Sequence, residues 1–285
     1  MRLVSRPLFA LVIGLTLFAI MSGCTTTEVA IVQTSKGGDR LIPVEPAVDA
    51  EPAFRLTVDT ANPRQTLEGF GASFTESGAW NLACLPEEAR LEVLAKLFSP
   101  TEGNGFTVTR THINSCDYSL GHYTYVDEGD LELATFDIAE DKKGFTGDEN
   151  AEVQGIEMED AGFDLIPMIR AAQDVDGADF RVLASPWSPP SWMKVGEHLH
   201  MTGGHLKRDA DEFGRLIYYD AWANYFVKYI EAYQAEGIDI WAVTPQNEPG
   251  HADHARWDTC FWSAEWQREF VADYLGPALE EAGLL

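Results

Sequence analysis

The stretch Trp241-Ala242-Val243-Thr244-Pro245-Gln246-Asn247-Glu248-Pro249 begins as a strand and ends in a polar turn. Ile238 to Thr244 is a short run rich in β-branched and aromatic residues. It follows Asp220 to Glu236, whose helical periodicity puts Trp222, Tyr225, Phe226 and Tyr229 on a buried face. The same alternation recurs upstream. Phe180 to Ser185 reads as a strand after the helical Asp164 to Val175. Phe106 to Asn114 reads as a strand after Pro86 to Phe98, a helix with proline at its start and Leu91, Leu94, Leu97 and Phe98 on one side. Thr66 to Phe74 is a glycine-broken strand or loop, and Ser263 to Ala282 a last helix with Ser263 as N-cap. Strands alternating with helices make parallel β/α units, and four are counted. The predicted class is α/β. It is a (β/α)8 TIM barrel cut to its first four units, since a closed barrel needs eight strands and about 250 residues. An open doubly wound sheet is the other choice, but Gly69-Phe70-Gly71 lacks the third glycine of a dinucleotide loop. Val126 to Asp160 is an acidic connection too long to be a simple loop, which suggests a functional or mobile segment.

Polar and aromatic residues gather just after these strands. Asp117 follows the second, Trp187 and Trp192 the third, and Asn247 and Glu248 the fourth. In a barrel the C-terminal strand ends form the catalytic face, so residues 130 positions apart can line one pocket. By itself Asn-Glu-Pro is a turn sequence; its place at a strand end is what gives it chemistry. A glutamate fixed there between Asn and Pro is expected to be partly desolvated. That keeps it protonated as a general acid for a leaving alkoxide. The Asn247 amide can then bond a sugar 2-hydroxyl. Arg110 lies inside the second strand, where an unpaired cation is costly, so a carboxylate partner is expected. A structural ion pair and the orienting of a catalytic carboxylate are both open to it. Asp117 suits either sugar hydroxyls or a turn cap. Trp187 and Trp192 offer indole faces to a pyranose, with one of the two expected to be plain packing. His198-Leu199-His200 and His251-Ala252-Asp253-His254 lack zinc-site spacing and a third ligand, so no metal is expected. No Gly-x-Ser-x-Gly elbow supports an esterase.

The formal net charge is −26, with 20 basic against 46 acidic residues, which excludes nucleic acid as a partner and docking on anionic lipid by charge. Arg2, Arg6 and the apolar run Leu8 to Ile20 fit a signal peptide; the run is shorter than the roughly 20 residues of a membrane span. Met21-Ser22-Gly23-Cys24 resembles a bacterial lipoprotein cleavage site. Residues 1–23 are therefore expected to be removed and Cys24 lipidated, with plain secretion as the alternative. The expected location is the bacterial cell envelope, with the membrane met only through that anchor. Residues 24–52 mix Thr, Gly, Pro and acids without periodicity and read as a flexible linker, leaving 53–285 as the domain. Phe54 to Val58 alternates with period two, a lone strand signal. Cys84, Cys116 and Cys260 allow at most one bridge, and Cys116 is expected to be a buried free thiol.

From about Gln65 onward the sequence resembles glycoside hydrolase family 30, which holds glucocerebrosidase and bacterial β-1,6-glucanases. The motifs that carry the resemblance are Gly69-Phe70-Gly71-Ala72-Ser73-Phe74-Thr75-Glu76, Ser115-Cys116-Asp117-Tyr118-Ser119, Tyr123-Thr124-Tyr125, Ala184-Ser185-Pro186-Trp187, Trp222-Ala223-Asn224-Tyr225-Phe226-Val227-Lys228 and Trp241 to Pro249. The resemblance implies a (β/α)8 barrel with a small β side domain, whose first strand would be Phe54 to Val58. It implies cofactor-free, retaining hydrolysis of β-glucosidic bonds. It assigns Glu248 as acid/base, Asn247 as the 2-hydroxyl contact, Asp117 and Trp187 as contacts to glucose, and Arg110 as support for the nucleophile. The family's nucleophile is a glutamate at the end of the seventh strand, and 285 residues hold four units, so the chain as given is expected to be an inactive N-terminal portion of an active parent. A carbohydrate-binding surface lipoprotein without turnover is the alternative. Thr111-His112-Ile113-Asn114 and Gly121-His122 look closer to the bacterial glucanase type, favouring a β-glucan or small β-glucoside over a ceramide glucoside.

Overall fold

A computed structural model describes residues 30–45, 51, 56–145, 158–196, 201–252 and 257–285. Two compact units make up the chain, residues 1–64 and 65–285. In the first, β1 (Val32–Gln33) and β2 (Ile42–Pro43) pair antiparallel, Val32 opposite Pro43 and Gln33 opposite Ile42. The aperiodic composition gave no sign of this two-residue ladder. Asp39 closes the turn by accepting from Ser35 Oγ and Gln33 Nε2. Leu56 to Val58 do not form the expected strand and are exposed; Phe54 and Arg55, like the leader and Cys24, lie outside the described residues.

The second unit is built on a parallel sheet in the order β3 (Val108–Ile113), β4 (Arg181–Pro186), β5 (Ile240–Val243). Arg110 stands opposite Leu183, and Leu183 opposite Ala242 after an irregularity at Val182. Ahead of β3, Phe70 to Phe74 runs alongside it. Thr107 N donates to Phe70 O, Arg110 N to Ala72 O and Phe74 N to Arg110 O, and Ser73 bridges Arg110 in parallel. Gly71 is what permits this approach, because a Cβ there would sit 1.6 Å from Val108 O. The predicted first strand is thus a glycine-bent segment that keeps parallel pairing without forming a regular ladder.

Helices α1 (Glu76–Ala83), α2 (Glu87–Phe98), α3 (Leu165–Gln173) and α4 (Ile217–Ala235) follow or separate these strands. Three agree with their predicted spans, although in α2 Leu91, expected on one side with Leu94, Leu97 and Phe98, is exposed while Leu94 and Phe98 are buried. α1 was not foreseen, although Thr75 caps it by accepting from Gly78 N. Gly78 and Asn81 are poor helix formers that hide the signal. α4 buries Tyr219, Trp222, Tyr225, Phe226, Tyr229 and Tyr233 in one aromatic core with Ile113, Val182 and Ala184 of the strands. The last helix is interrupted. Between α5 (Ala264–Phe270) and α6 (Gly276–Glu281) lies one π-helical turn, Val271–Leu275, in which Gly276 N reaches back to Val271 O. Pro277 explains it, since its ring clashes with a regular preceding turn and it has no N–H to continue the ladder.

The other side of the sheet is open. Trp241 is exposed, with the Arg181 guanidinium over its ring at 4.9 Å, and Leu67 and Phe70 are exposed as well. Within the expected long connection, residues 126–145 pack Val126, Leu133, Ile138 and Phe145 into the core. Buried Asp141 accepts there from the hydroxyls of Tyr123, Tyr125 and Tyr233 at 2.9, 2.7 and 2.6 Å. That part of the connection is core rather than a free loop.

Candidate active site

Two strand exits break out of the right-handed backbone region. Asn114, after β3, has φ 62°, and Glu248, after β5, has φ 45°. Such a conformation costs a non-glycine residue roughly 1–3 kcal/mol and persists only where its surroundings enforce it. For Asn114 the enforcement is complete burial, with Oδ1 accepting from Tyr225 OH and Nδ2 donating to Ser188 O. For Glu248 it is a clamp on both sides. Asn247 N donates to Pro186 O at 2.8 Å, His251 N to Glu248 O at 2.9 Å and Trp262 N to Pro249 O at 2.9 Å. Beneath them, buried Gln246 donates to Trp187 O and Asn247 O. The strained residue is the one that the sequence singles out as proton donor.

A cleft of about 490 Å³ opens over these exits, and Arg110, Asp117, Trp187, Asn247 and Glu248 all line it. Arg110 comes from within β3, Asp117 from the loop after it, Trp187 from the end of β4, and Asn247 and Glu248 from the end of β5. Trp192 is elsewhere, packed edge-on against Tyr218, and is the packing member of the tryptophan pair. Trp257, which sequence reasoning missed, lines the cleft too, with Ser73, Thr75 and Tyr118 among others.

Arg110 corrects one expectation. Among the described residues it pairs with no carboxylate: Nη2 donates to Asn247 Oδ1 and to Ser185 Oγ, both at 2.8 Å, and the guanidinium lies 4.5 Å over the Trp187 ring. Neutral acceptors and a π face satisfy the cation here. Burial pushes its pKa down, and the charges of Asp117 and Glu248 act against that. Ser185 Oγ also meets Thr244 Oγ1, so one hydroxyl ties β3, β4 and β5 together at the floor of the cleft. Because Arg110 occupies Asn247 Oδ1, the two N–H donors are the end of that amide left for a ligand.

Glu248 corrects another. It is exposed, so no side chain of the described residues provides the desolvation expected for it. Asp117 is exposed as well, and Trp187 and Asn247 are half-buried. His112, fully buried below the cleft, sets its Nδ1 2.7 Å from Asn114 O, which can only accept; Nδ1 therefore carries the proton. Burial drives this imidazole down to about 4, so it is neutral near pH 7. Glu76, under the Asp117 loop, accepts from Leu120 N, and burial raises its carboxyl to about 7. Cys116 is buried and unbridged as expected. Among the described residues no group of three His, Cys, Asp or Glu side chains is placed to share a metal ion. The arrangement presents amide donors, carboxylates, an indole and a fixed cation on one rim, a set suited to a polyhydroxylated ring.

Comparison with known proteins agrees with this. Residues 67–284 match the family model described as Glycosyl hydrolase family 30 TIM-barrel domain. Putative glucosylceramidase 4 of Caenorhabditis elegans is 33% identical over 260 residues, covering 90% of this chain and 45% of that protein. Endo-1,6-beta-D-glucanase of Neurospora crassa is 33% identical over 237 residues, covering 81% and 43%. Among solved structures, the endo-beta1,6-glucanase BT3312 superposes with a TM-score of 0.62 at 34% identity, covering 79% of this chain and 44% of that one. The chain thus spans less than half the length of these relatives.

Proposed function

The chain belongs to glycosyl hydrolase family 30, and from that premise we propose that its cleft is the glucose-binding half of a retaining β-glycosidase site with Glu248 as proton donor. The observation that carries this reading is the convergence of Arg110, Asp117, Trp187, Asn247 and Glu248, from three strand exits, on one cavity of about 490 Å³. In the reaction Glu248 protonates the glycosidic oxygen as the C1–O bond breaks. A carboxylate on the opposite face of the sugar bonds to C1. Glu248 then takes a proton from the water that releases the sugar with its β configuration retained. Asn247, its Oδ1 held by Arg110, donates to the 2-hydroxyl oxygen, a bond that tightens as positive charge grows on the ring. Asp117 accepts from glucose hydroxyls, Trp187 packs on the pyranose, and Arg110 stabilises the nucleophile's negative charge.

Retention requires the second carboxylate about 5–5.5 Å from the first. We assign it to the part of the whole protein for which the relatives have length and this chain does not. The favoured substrate is a β-glucan, β-1,6-linked in the first instance, or a small β-glucoside. That choice rests on the Thr111-His112-Ile113-Asn114 motif and on the β-1,6-glucanases among the relatives. The proposed location is the bacterial envelope through Cys24, which fatty-acid labelling would check. The activity is tested by incubating the whole protein with β-1,6-glucan, β-1,3-glucan, β-xylan and glucosylceramide and following the first-formed anomer by NMR. Release of the β anomer from β-1,6-glucan is expected. Inversion at C1, or turnover of none of the four, overturns the reading.

A further inference from the structure

Asp258 follows Trp257 directly and is completely buried, yet it belongs to none of the groups lining the cleft. Its Oδ2 accepts from Ser115 Oγ at 2.5 Å and its Oδ1 faces His122 Nδ1 at 2.5 Å. Both partners lie in the loop after β3, on either side of Asp117. The loop is closed upon itself, with Ser115 N donating to Tyr123 O and Tyr123 N to Ser115 Oγ. One carboxylate therefore grips the loop that carries Asp117 while the residue before it, Trp257, lines the same cavity.

A second buried charge holds the segment from the opposite side. Lys194, in the connection after β4, donates to Met201 O, Gly203 O and Thr259 O at 2.6, 2.8 and 2.9 Å. Thr259 returns the contact, with N donating to Met201 O and Oγ1 accepting from Gly203 N. Burial pushes the Asp258 carboxyl up, and its hydrogen bond from Ser115 and the charges of His122 and Lys194 act against that. Three strand-exit segments are thereby fixed to one another through the pair 258–259.

We propose that Asp258 is a positioning residue for the cleft: by binding Ser115 and His122 it sets the Asp117 loop relative to Trp257. This rests on the glycosidase reading for its consequence, but not for its geometry. A displacement near 1 Å at a substrate-positioning group can cost on the order of 10²-fold in rate. Asp258→Asn removes the charge with little change of shape. In the whole enzyme it is expected to lower kcat/KM on a β-glucoside by about 10–100-fold, chiefly through KM. In a Trp257→Ala background the same change should have a much smaller effect, because the side chain it positions is gone; unrelated losses would add to within about a factor of two. Additive losses, or an unchanged kcat/KM in the single variant, overturn the proposal.

Hydrogen exchange on the whole protein supplies a reading free of activity. Segments 115–123 and 257–262 should both exchange faster in Asp258→Asn while α2 stays protected. If 115–123 is unaltered, the clasp is refuted. Should the wild type turn over no β-glucoside, the proposed function fails, and the exchange result alone decides for or against the clasp.

Discussion

Arg110 Nη2 donates to Asn247 Oδ1 at 2.8 Å, a bond between residues 137 positions apart that determines which end of the amide faces the cleft. The same guanidinium meets Ser185 and lies over Trp187. Lysine has neither the planar fork nor the stacking face to satisfy all three. Arg110→Lys should therefore release the amide. A hydrogen bond to a charged group is worth about 1.5–3 kcal/mol, so kcat/KM on an aryl β-glucoside should fall roughly 10–150-fold. An unchanged value would separate the amide's orientation from function.

Glu248 sits at φ 45°, where a side chain is strained by roughly 1–2 kcal/mol. Glycine removes that strain while giving back about 0.5–1 kcal/mol of chain entropy. Glu248→Gly is expected to abolish turnover yet raise unfolding stability by up to about 1.5 kcal/mol. Urea denaturation of the two proteins measures it.

Asp141 links folding to pH. Burial raises its carboxyl to about 7 despite donation from three tyrosines, and burial raises Glu76 to about 7. The folded protein keeps these protons after the unfolded chain has lost them. Between about pH 4 and 7 the native state therefore binds more protons than the unfolded state, and stability falls as pH rises, with a slope of up to about 1.4 kcal/mol per pH unit for each group. Below pH 4 both states are protonated and the dependence levels off. In Asp141→Asn, urea midpoints across pH 4 to 7 should decline less steeply than in the wild type.

The sheet was legible in the sequence because each strand is a local apolar run between helices of clear period. The proton-donor candidate was legible because Asn-Glu-Pro closes the fourth of those runs. What escaped depends on partners far along the chain. Nothing near Asp258 marks it, since Ser115 and His122 lie 143 and 136 positions away. Asp141 looked like one more acid in an acidic loop, and only α4 brings Tyr233 to it. Arg110 was assigned a carboxylate because charge is the obvious complement to charge; an amide oxygen and a hydroxyl leave no such trace. The π turn did have a local cause in Pro277, hidden inside an otherwise helical pattern.

The most direct test of Glu248 as proton donor compares two leaving groups in the whole enzyme carrying Glu248→Gln. General-acid help matters when an alkoxide departs and little when an acidic phenol does. We expect hydrolysis of the natural β-glucan to fall by roughly 10²–10⁴-fold while cleavage of a dinitrophenyl β-glucoside stays much closer to wild type. Full activity on the glucan, or equal losses on both substrates, would contradict the assignment.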